Sequence, residues 1–387
     1  VSMADGVSRA DEVGGADGTD RPDGDGGTDA YDGPDGHGMP DGPDGHATSD
    51  GRDGPHRHAT SNGHATSNGH ATSDGHATSD GHATSNGHAT SNGHGTSDEA
   101  AEVRLFWEGL GLPGLVDVHT HFMPERVLKK VWEYFDALGP LTGGVEWPIT
   151  YRAEERERVG LLREFGVRAF TAMLYPHKPG MAEWLNQWAV EFAGRTPDCL
   201  HTATLFPEPG VAAYVHKAVD EGARVFKAHV QVGAYDPADE LLDPAWGLLA
   251  EAGMPVVIHC GSGPSPGKHT GPDPIGRVLA RHPRLRLVFA HMGMPEYEDF
   301  LGLAERFGEV RLDTTMAFTD FSEQFAPFPR RALPRLADLG DRILLGTDFP
   351  NIPYPYVHQL RVLEGLGLGD EWLRAVCHDN GARLFGL

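Results

Sequence analysis

Leu115-Val116-Asp117-Val118-His119-Thr120-His121 decides how the chain is read. An apolar run ends there in two imidazoles, and in extended backbone residues two apart share a side at roughly 6.6 Å. Both rings can therefore meet at one cation. The pair gains weight only if later strands end in matching ligands, and the pattern downstream supplies them. Apolar runs alternate with amphipathic stretches, as in a parallel α/β fold. Strands are predicted at 115–118, 167–174, 200–205, 224–230, 254–259, 285–291, 310–313 and 343–348. Helices are predicted between and after them at 153–165, 181–193, 211–221, 244–252, 274–281, 295–307, 330–339 and 356–366. Asp243-Pro244 and Asp273-Pro274 place a capping residue before a proline suited to the first helical turn. Eight strand–helix pairs in fewer than 300 residues suit a closed α/β barrel, the TIM (β/α)8 architecture, better than an open sheet.

In such barrels the chemistry collects where strands end and loops begin. His119 and His121 close the first predicted strand, Lys227 and His229 lie late in the fourth, and His259, His291 and Asp348 close the fifth, sixth and eighth. A single buried histidine is more often a hydrogen-bonded core residue than a ligand. It is the set that argues for a site.

Three imidazoles and a carboxylate, His119, His121, His259 and Asp348, suit a divalent ion, with Zn²⁺ the first choice. Such an ion lowers the pKa of bound water from about 15.7 toward about 7 and polarises a carbonyl. Asp348 would then relay the proton to the leaving group, and His291 would orient the water or stabilise developing charge. Lys227, on one strand face with His229, has three readings: a carboxylated bridge between two metals, a contact for substrate, or a side chain snorkelling at the rim. Lys227 and His229 are taken as substrate-binding candidates. Asp117 is read as a supporting partner or part of the barrel wall.

Composition separates residues 1–100 from 101–387. The first hundred hold 18 Asp and Glu against four Arg, no Lys and almost no large apolar side chains, so they are expected to be a disordered acidic tail. Between His58 and His94 the unit His-Ala-Thr-Ser-Asn/Asp-Gly repeats every six residues. The tract is a low-complexity extension or a buffer for transition metals. The chain's net charge of −24 argues against nucleic acid and against an anionic membrane as partners. Three cysteines make neither a disulfide framework nor a thiolate metal site, which fits a reducing cytoplasm. No apolar run is of spanning length, and no signal-peptide pattern is present. A small-molecule substrate is expected, and a homodimer stays open.

These residues resemble the amidohydrolase superfamily, and within it amidohydrolase family 2, the branch that includes aminocarboxymuconate semialdehyde decarboxylase. The resemblance rests on Val116-Asp117-Val118-His119-Thr120-His121-Phe122-Met123-Pro124, Val225-Phe226-Lys227-Ala228-His229 and Pro255-Val256-Val257-Ile258-His259-Cys260-Gly261. Val288-Phe289-Ala290-His291-Met292-Gly293, Leu344-Leu345-Gly346-Thr347-Asp348-Phe349-Pro350 and the closing Asn380-Gly381-Ala382-Arg383-Leu384-Phe385-Gly386-Leu387 extend it. It implies a metal-dependent barrel with His119, His121, His259 and Asp348 as ligands and His291 as the catalytic or supporting histidine. The branch contains hydrolases of amides, esters and lactones, and decarboxylases that need no redox cofactor. This chain has His at the first metal position, where some branch decarboxylases have Glu. Arg152 and Arg168 are the candidates for the arginine that decarboxylases place on the substrate carboxylate.

The leading expectation is hydrolysis at a carbonyl centre. Non-oxidative decarboxylation of an unsaturated or aromatic acid is the alternative, with Lys227 as the nearby base. A third reading, from a different class, makes the chain a metal-binding or storage protein acting through its histidine-rich tail.

Overall fold

Inward and outward positions along the central strands take different residues, and that alternation builds the fold. The computed structural model describes residues 95–139 and 144–387. The tail expected over residues 1–100, with its histidine repeats, lies outside the described residues as far as position 94. Val225, Val257 and Val288 pack together in one cluster, whereas their strand neighbours Phe226, Val256, Ile258, Leu287 and Phe289 belong to another. Side chains alternate faces along a strand, so the first set lines the inside of a ring and the second meets the helices outside. The same parity carries Lys227, His229 and His259 to the inner side.

The strands run in parallel order: β1 (Leu115–Asp117), β2 (Val167–Thr171), β3 (Cys199–Leu200), β4 (Thr202–Thr204), β5 (Val225–His229), β6 (Pro255–His259), β7 (Arg286–Phe289), β8 (Arg311–Asp313) and β9 (Ile343–Leu344). β3 and β4 are one barrel strand interrupted at His201, which reconciles nine segments with the eight expected. Each strand is laddered to the next in two runs, β1-β2-β3 and β4-β5-β6-β7-β8-β9. Past the last ladder, Val118 N–H donates to Leu345 O at 2.9 Å and Asp348 N–H to His119 O at 2.9 Å, so the final strand meets the first.

The chain's helices are α1 (Gly95–Gly109), α2 (Glu125–Asp136), α3 (Glu155–Glu164), α4 (Ala182–Arg195), α5 (Val211–Asp220), α6 (Val230–Gly233), α7 (Asp243–Glu251), α8 (Pro272–Arg281), α9 (Tyr297–Arg306), α10 (Leu333–Asp338), α11 (Tyr356–Gly365), α12 (Asp370–Arg374) and α13 (Asn380–Phe385). The eight predicted helices correspond to α3, α4, α5, α7, α8, α9, α10 and α11. Among the described residues no helix is long and apolar enough to cross a membrane.

α1 straddles the compositional boundary at residue 100 and packs on α11 and α3. Glu99 accepts the Tyr151 hydroxyl at 2.6 Å and the Val357 N–H at 3.3 Å, which satisfies a donor in the first turn of α11. Trp107 donates its indole N–H to Phe165 O at 2.9 Å. The indole lies flat against Gly166, whose φ of 81° and lack of a side chain permit the contact: a Cβ there would stand 2.7 Å from the ring.

Candidate metal centre

Three predicted strands stop short of their functional residues, β1 among them, which ends at Asp117 before His119 and His121. β7 ends at Phe289 and β9 at Leu344, so His291 and Asp348 stand on the turns that follow rather than on strands. Both adopt left-handed backbone, with φ of 55° and 73°. Non-glycine residues held this way cost about 1–3 kcal/mol each and persist only where surrounding contacts fix them. Here those contacts are visible. Asp313, at the end of β8, accepts the His291 N–H at 2.9 Å, and the Asp348 N–H is held by His119 O at 2.9 Å.

Asp117 secures the other side. Its carboxylate accepts the His119 N–H at 3.1 Å, the Thr347 hydroxyl at 2.6 Å and the Tyr356 hydroxyl at 2.9 Å. Burial pushes this carboxyl up to about 7 despite the three donors. Gly346 lets the strands close: a Cβ there would fall 2.9 Å from the His119 Cβ and 3.1 Å from the Asp313 Cγ.

The rings now have defined nitrogens. His119 Nδ1–H donates to Asp313 at 2.9 Å, which directs its Nε2 lone pair inward, 3.5 Å from an Asp348 oxygen. His121 Nδ1–H donates to Met173 O at 2.5 Å, and its Nε2 lies 2.8 Å from the same Asp348 oxygen. In the neutral His121 ring that nitrogen carries a lone pair facing a carboxylate. Only a shared proton or a bound cation makes such a contact favourable. His291 stands 5.2 Å from His119 and 4.7 Å from His259 between ring centroids. Donor atoms of His119, His291 and Asp348 all lie within 4.8 Å of one another.

The protonation states suit a cation. Burial, followed by the charge of Lys227, lowers His119 to about 4. Burial likewise lowers His291 to about 4 and takes His229 and His259 well below their ordinary value. Burial alone would raise Asp348, but the His121, His291 and His119 imidazoles outweigh it and hold the carboxyl well below the usual range. Neutral imidazoles and an ionised carboxylate are the forms in which these side chains bind divalent metals. The His119–Asp313 pair also has the geometry by which a carboxylate fixes a ligating imidazole.

Three expected residues sit around this cluster in distinct ways. His259 donates Nε2–H to Gly263 O at 2.9 Å, which leaves Nδ1 with the lone pair. His229 stacks on His259 at 4.2 Å and accepts the Val232 N–H at 3.3 Å through Nδ1. Lys227 is fully buried, with Nζ 3.0 Å from His119 Nε2, and burial lowers it to about 8. It lies beneath the histidines rather than snorkelling at a rim. An ion held by His119 Nε2 would replace that ammonium contact. Arg152 and Arg168 are elsewhere: Arg152 pairs with Asp136 and Arg168 donates to Pro113 O at 3.3 Å, both on the exterior.

Asp313 is the functional residue that strand-end reading passed over, although it occupies the last position of β8 just as His259 does of β6. Tyr175 is a second, its ring 5.7 Å from His121 and 4.7 Å from His229. Beside the cluster opens a cleft of ≈ 350 Å³, its mouth included, with His259, His291 and Trp147 in its wall. Phe318 and Phe321 are packed in the core, in the same cluster as Trp147.

A family model described as amidohydrolase matches residues 116–387. The chain belongs to the amidohydrolase family. Its metal-coordinating cluster near the barrel core supports a metal-dependent active site of this superfamily. Among solved structures, an uncharacterised TIM-barrel protein from Bordetella bronchiseptica aligns at 20% identity and a TM-score of 0.58, over 70% of this chain and 98% of the other. A structure described as an amidohydrolase II aligns at 20% identity and a TM-score of 0.50, over 71% and 100%. At these identities the likeness concerns the fold. No protein of curated function matches the sequence significantly. This amidohydrolase carries α1 ahead of the matched region.

Proposed function

We propose that this amidohydrolase is a metal-dependent hydrolase of amide, ester or lactone-like carbonyl compounds, with Zn²⁺ as its ion. The observation that carries the reading is the convergence of His119, His291 and Asp348 donor atoms within 4.8 Å on the turns that follow the strands. His119, His121, His259 and Asp348 would hold the ion. A divalent ion in that position supplies Lewis acidity and an activated water at neutral pH. Asp348, kept ionised, accepts the attacking water's proton on a carboxylate oxygen and returns it to the leaving group. His291, kept neutral, directs a ring N–H at the oxygen on which negative charge develops. Asp313 holds the His119 ring and, through the His291 N–H, the turn that carries the second imidazole. The likeness to the branch of aminocarboxymuconate semialdehyde decarboxylase is thus read at the level of the metal site. Decarboxylation has less support, because Arg152 and Arg168 are remote and Lys227 is engaged with His119.

The test compares bound zinc per full-length chain in the parent and in His119→Ala/His121→Ala, so that any contribution of the tail cancels. The double variant is expected to carry about one ion fewer and to lose hydrolysis of an ester and amide panel. Equal zinc in the two proteins would overturn the reading.

A further inference from the structure

The cleft beside the metal cluster has a wall whose polar side chains, the two histidines apart, are already engaged. Trp147 donates its indole N–H to Asn351 O at 2.7 Å and offers the cleft only its ring, braced edge-on against Phe321 at 4.7 Å. Ser322 is committed through its hydroxyl to Met316 O at 2.7 Å and to Thr319. His259 gives its Nε2–H to Gly263 O. Pro264, Met294, Met316 and Phe325 complete the apolar part of the wall. Among the described residues no lysine or arginine lines it. Lys227, the cation nearest the cluster, is sealed beneath His119, while the buried carboxylates Asp348 and Asp313 add negative charge.

A ligand entering here can place one polar group against His291 and the metal cluster. The remainder meets carbon, sulfur and ring faces. An anionic substituent on that remainder would be stripped of water with no partner, a cost of several kcal/mol for a carboxylate in an apolar site. An aryl or alkyl group meets aromatic and thioether surface that packs well against it.

We propose that the cleft selects a small carbonyl substrate whose remaining body is uncharged and apolar, a single aryl or short alkyl group, and excludes substrates bearing a further carboxylate. The assignment rests on the hydrolase reading above for the carbonyl end, and on the wall alone for the apolar end.

Acetophenone and 4-acetylbenzoate form a matched pair that cannot be hydrolysed and differs by one carboxylate. Their affinities for the zinc-loaded full-length protein are read by saturation-transfer NMR titration. Acetophenone is expected to bind at least about tenfold more tightly. Phe325→Arg, which places a guanidinium at a half-exposed position in the wall, should narrow the ratio below about threefold or invert it. Equal or tighter binding of 4-acetylbenzoate by the parent protein would overturn the proposal, as would failure of both ketones to bind. The parent comparison decides even if the variant does not fold. Because neither ketone turns over, a clear preference without hydrolysis of any ester or amide would sink the hydrolase reading and leave this one standing. Hydrolysis without the preference would do the reverse.

Discussion

Asp313→Asn changes one oxygen to an NH2 group and tests how His119 is held. In the parent, one Asp313 oxygen accepts two backbone N–H groups, from His291 at 2.9 Å and Thr315 at 3.1 Å, while the other takes the His119 Nδ1–H at 2.9 Å. Asparagine has a single oxygen. Two backbone donors compete for it against one, so the amide nitrogen is turned toward His119. Donor then faces donor, and the imidazole relieves the clash by moving its proton to Nε2. That step consumes the lone pair on the nitrogen aimed at the cluster. Loss of such a supporting carboxylate costs 10–100-fold in metal affinity by general experience, or about 1.4–2.7 kcal/mol. Competition for zinc against a chromophoric chelator at pH 7.5 measures it directly. A variant that kept its shape by circular dichroism and bound zinc as tightly as the parent would refute the assigned tautomer and the supporting role of Asp313.

Acid should destabilise the metal-free protein early. His119 and His291 have folded values of about 4 against an ordinary 6.5, so the unfolded chain binds more protons between those limits, and stability present above pH 6.5 falls as pH drops toward 4. Each such histidine contributes a slope of up to about 1.4 kcal/mol per pH unit, and urea midpoints that stay flat from pH 7 to 5 would contradict it. Gly166→Ala should lower stability by about 1–3 kcal/mol through left-handed backbone strain, with more from the collision with Trp107; an unchanged urea midpoint would show that α1 is not seated as described. Cys199, Cys260 and Cys377 are buried thiols whose pKa values burial raises, so a thiol reagent at pH 8 should label none of them until denaturant is added. Stoichiometric labelling under native conditions would disprove that burial.

Much of the barrel was legible because its two periodicities are strong. Val225, Lys227 and His229 alternate with Phe226 and Ala228, and that alternation places the polar pair inside. The gathering of His119, His121, His291 and Asp348 was expected from predicted strand ends, and the structure brings them together from the turns just beyond shorter strands. What the sequence hid was backbone conformation: nothing in Phe289-Ala290-His291 or Gly346-Thr347-Asp348 announces that the strand has ended and that φ turns positive. Asp313 was passed over because Leu312-Asp313-Thr314-Thr315 has no histidine companion to mark it. α1 was missed because Gly95, Asp98 and Glu99 continue the composition of the preceding tail, while its buried Val103 comes later. α2 occupies a stretch, 125–136, where no element was predicted, and its Leu128 joins Met123 and Leu185 in one apolar cluster.

The seam where the last strand meets the first has a consequence for how this molecule is made. His121 and Asp348 are 227 positions apart, yet their side chains touch, and the backbone of His119 ties to that of Asp348 in the same place. No partial ring presents both. Anything gripped by the two residues together recognises only the finished circle and stabilises it through mass action. Loop-closure entropy grows with the length of chain enclosed, so a contact across 227 positions is among the costlier ones for the chain to make. The candidate metal centre is thereby also the clasp at which the two ends of the barrel are joined.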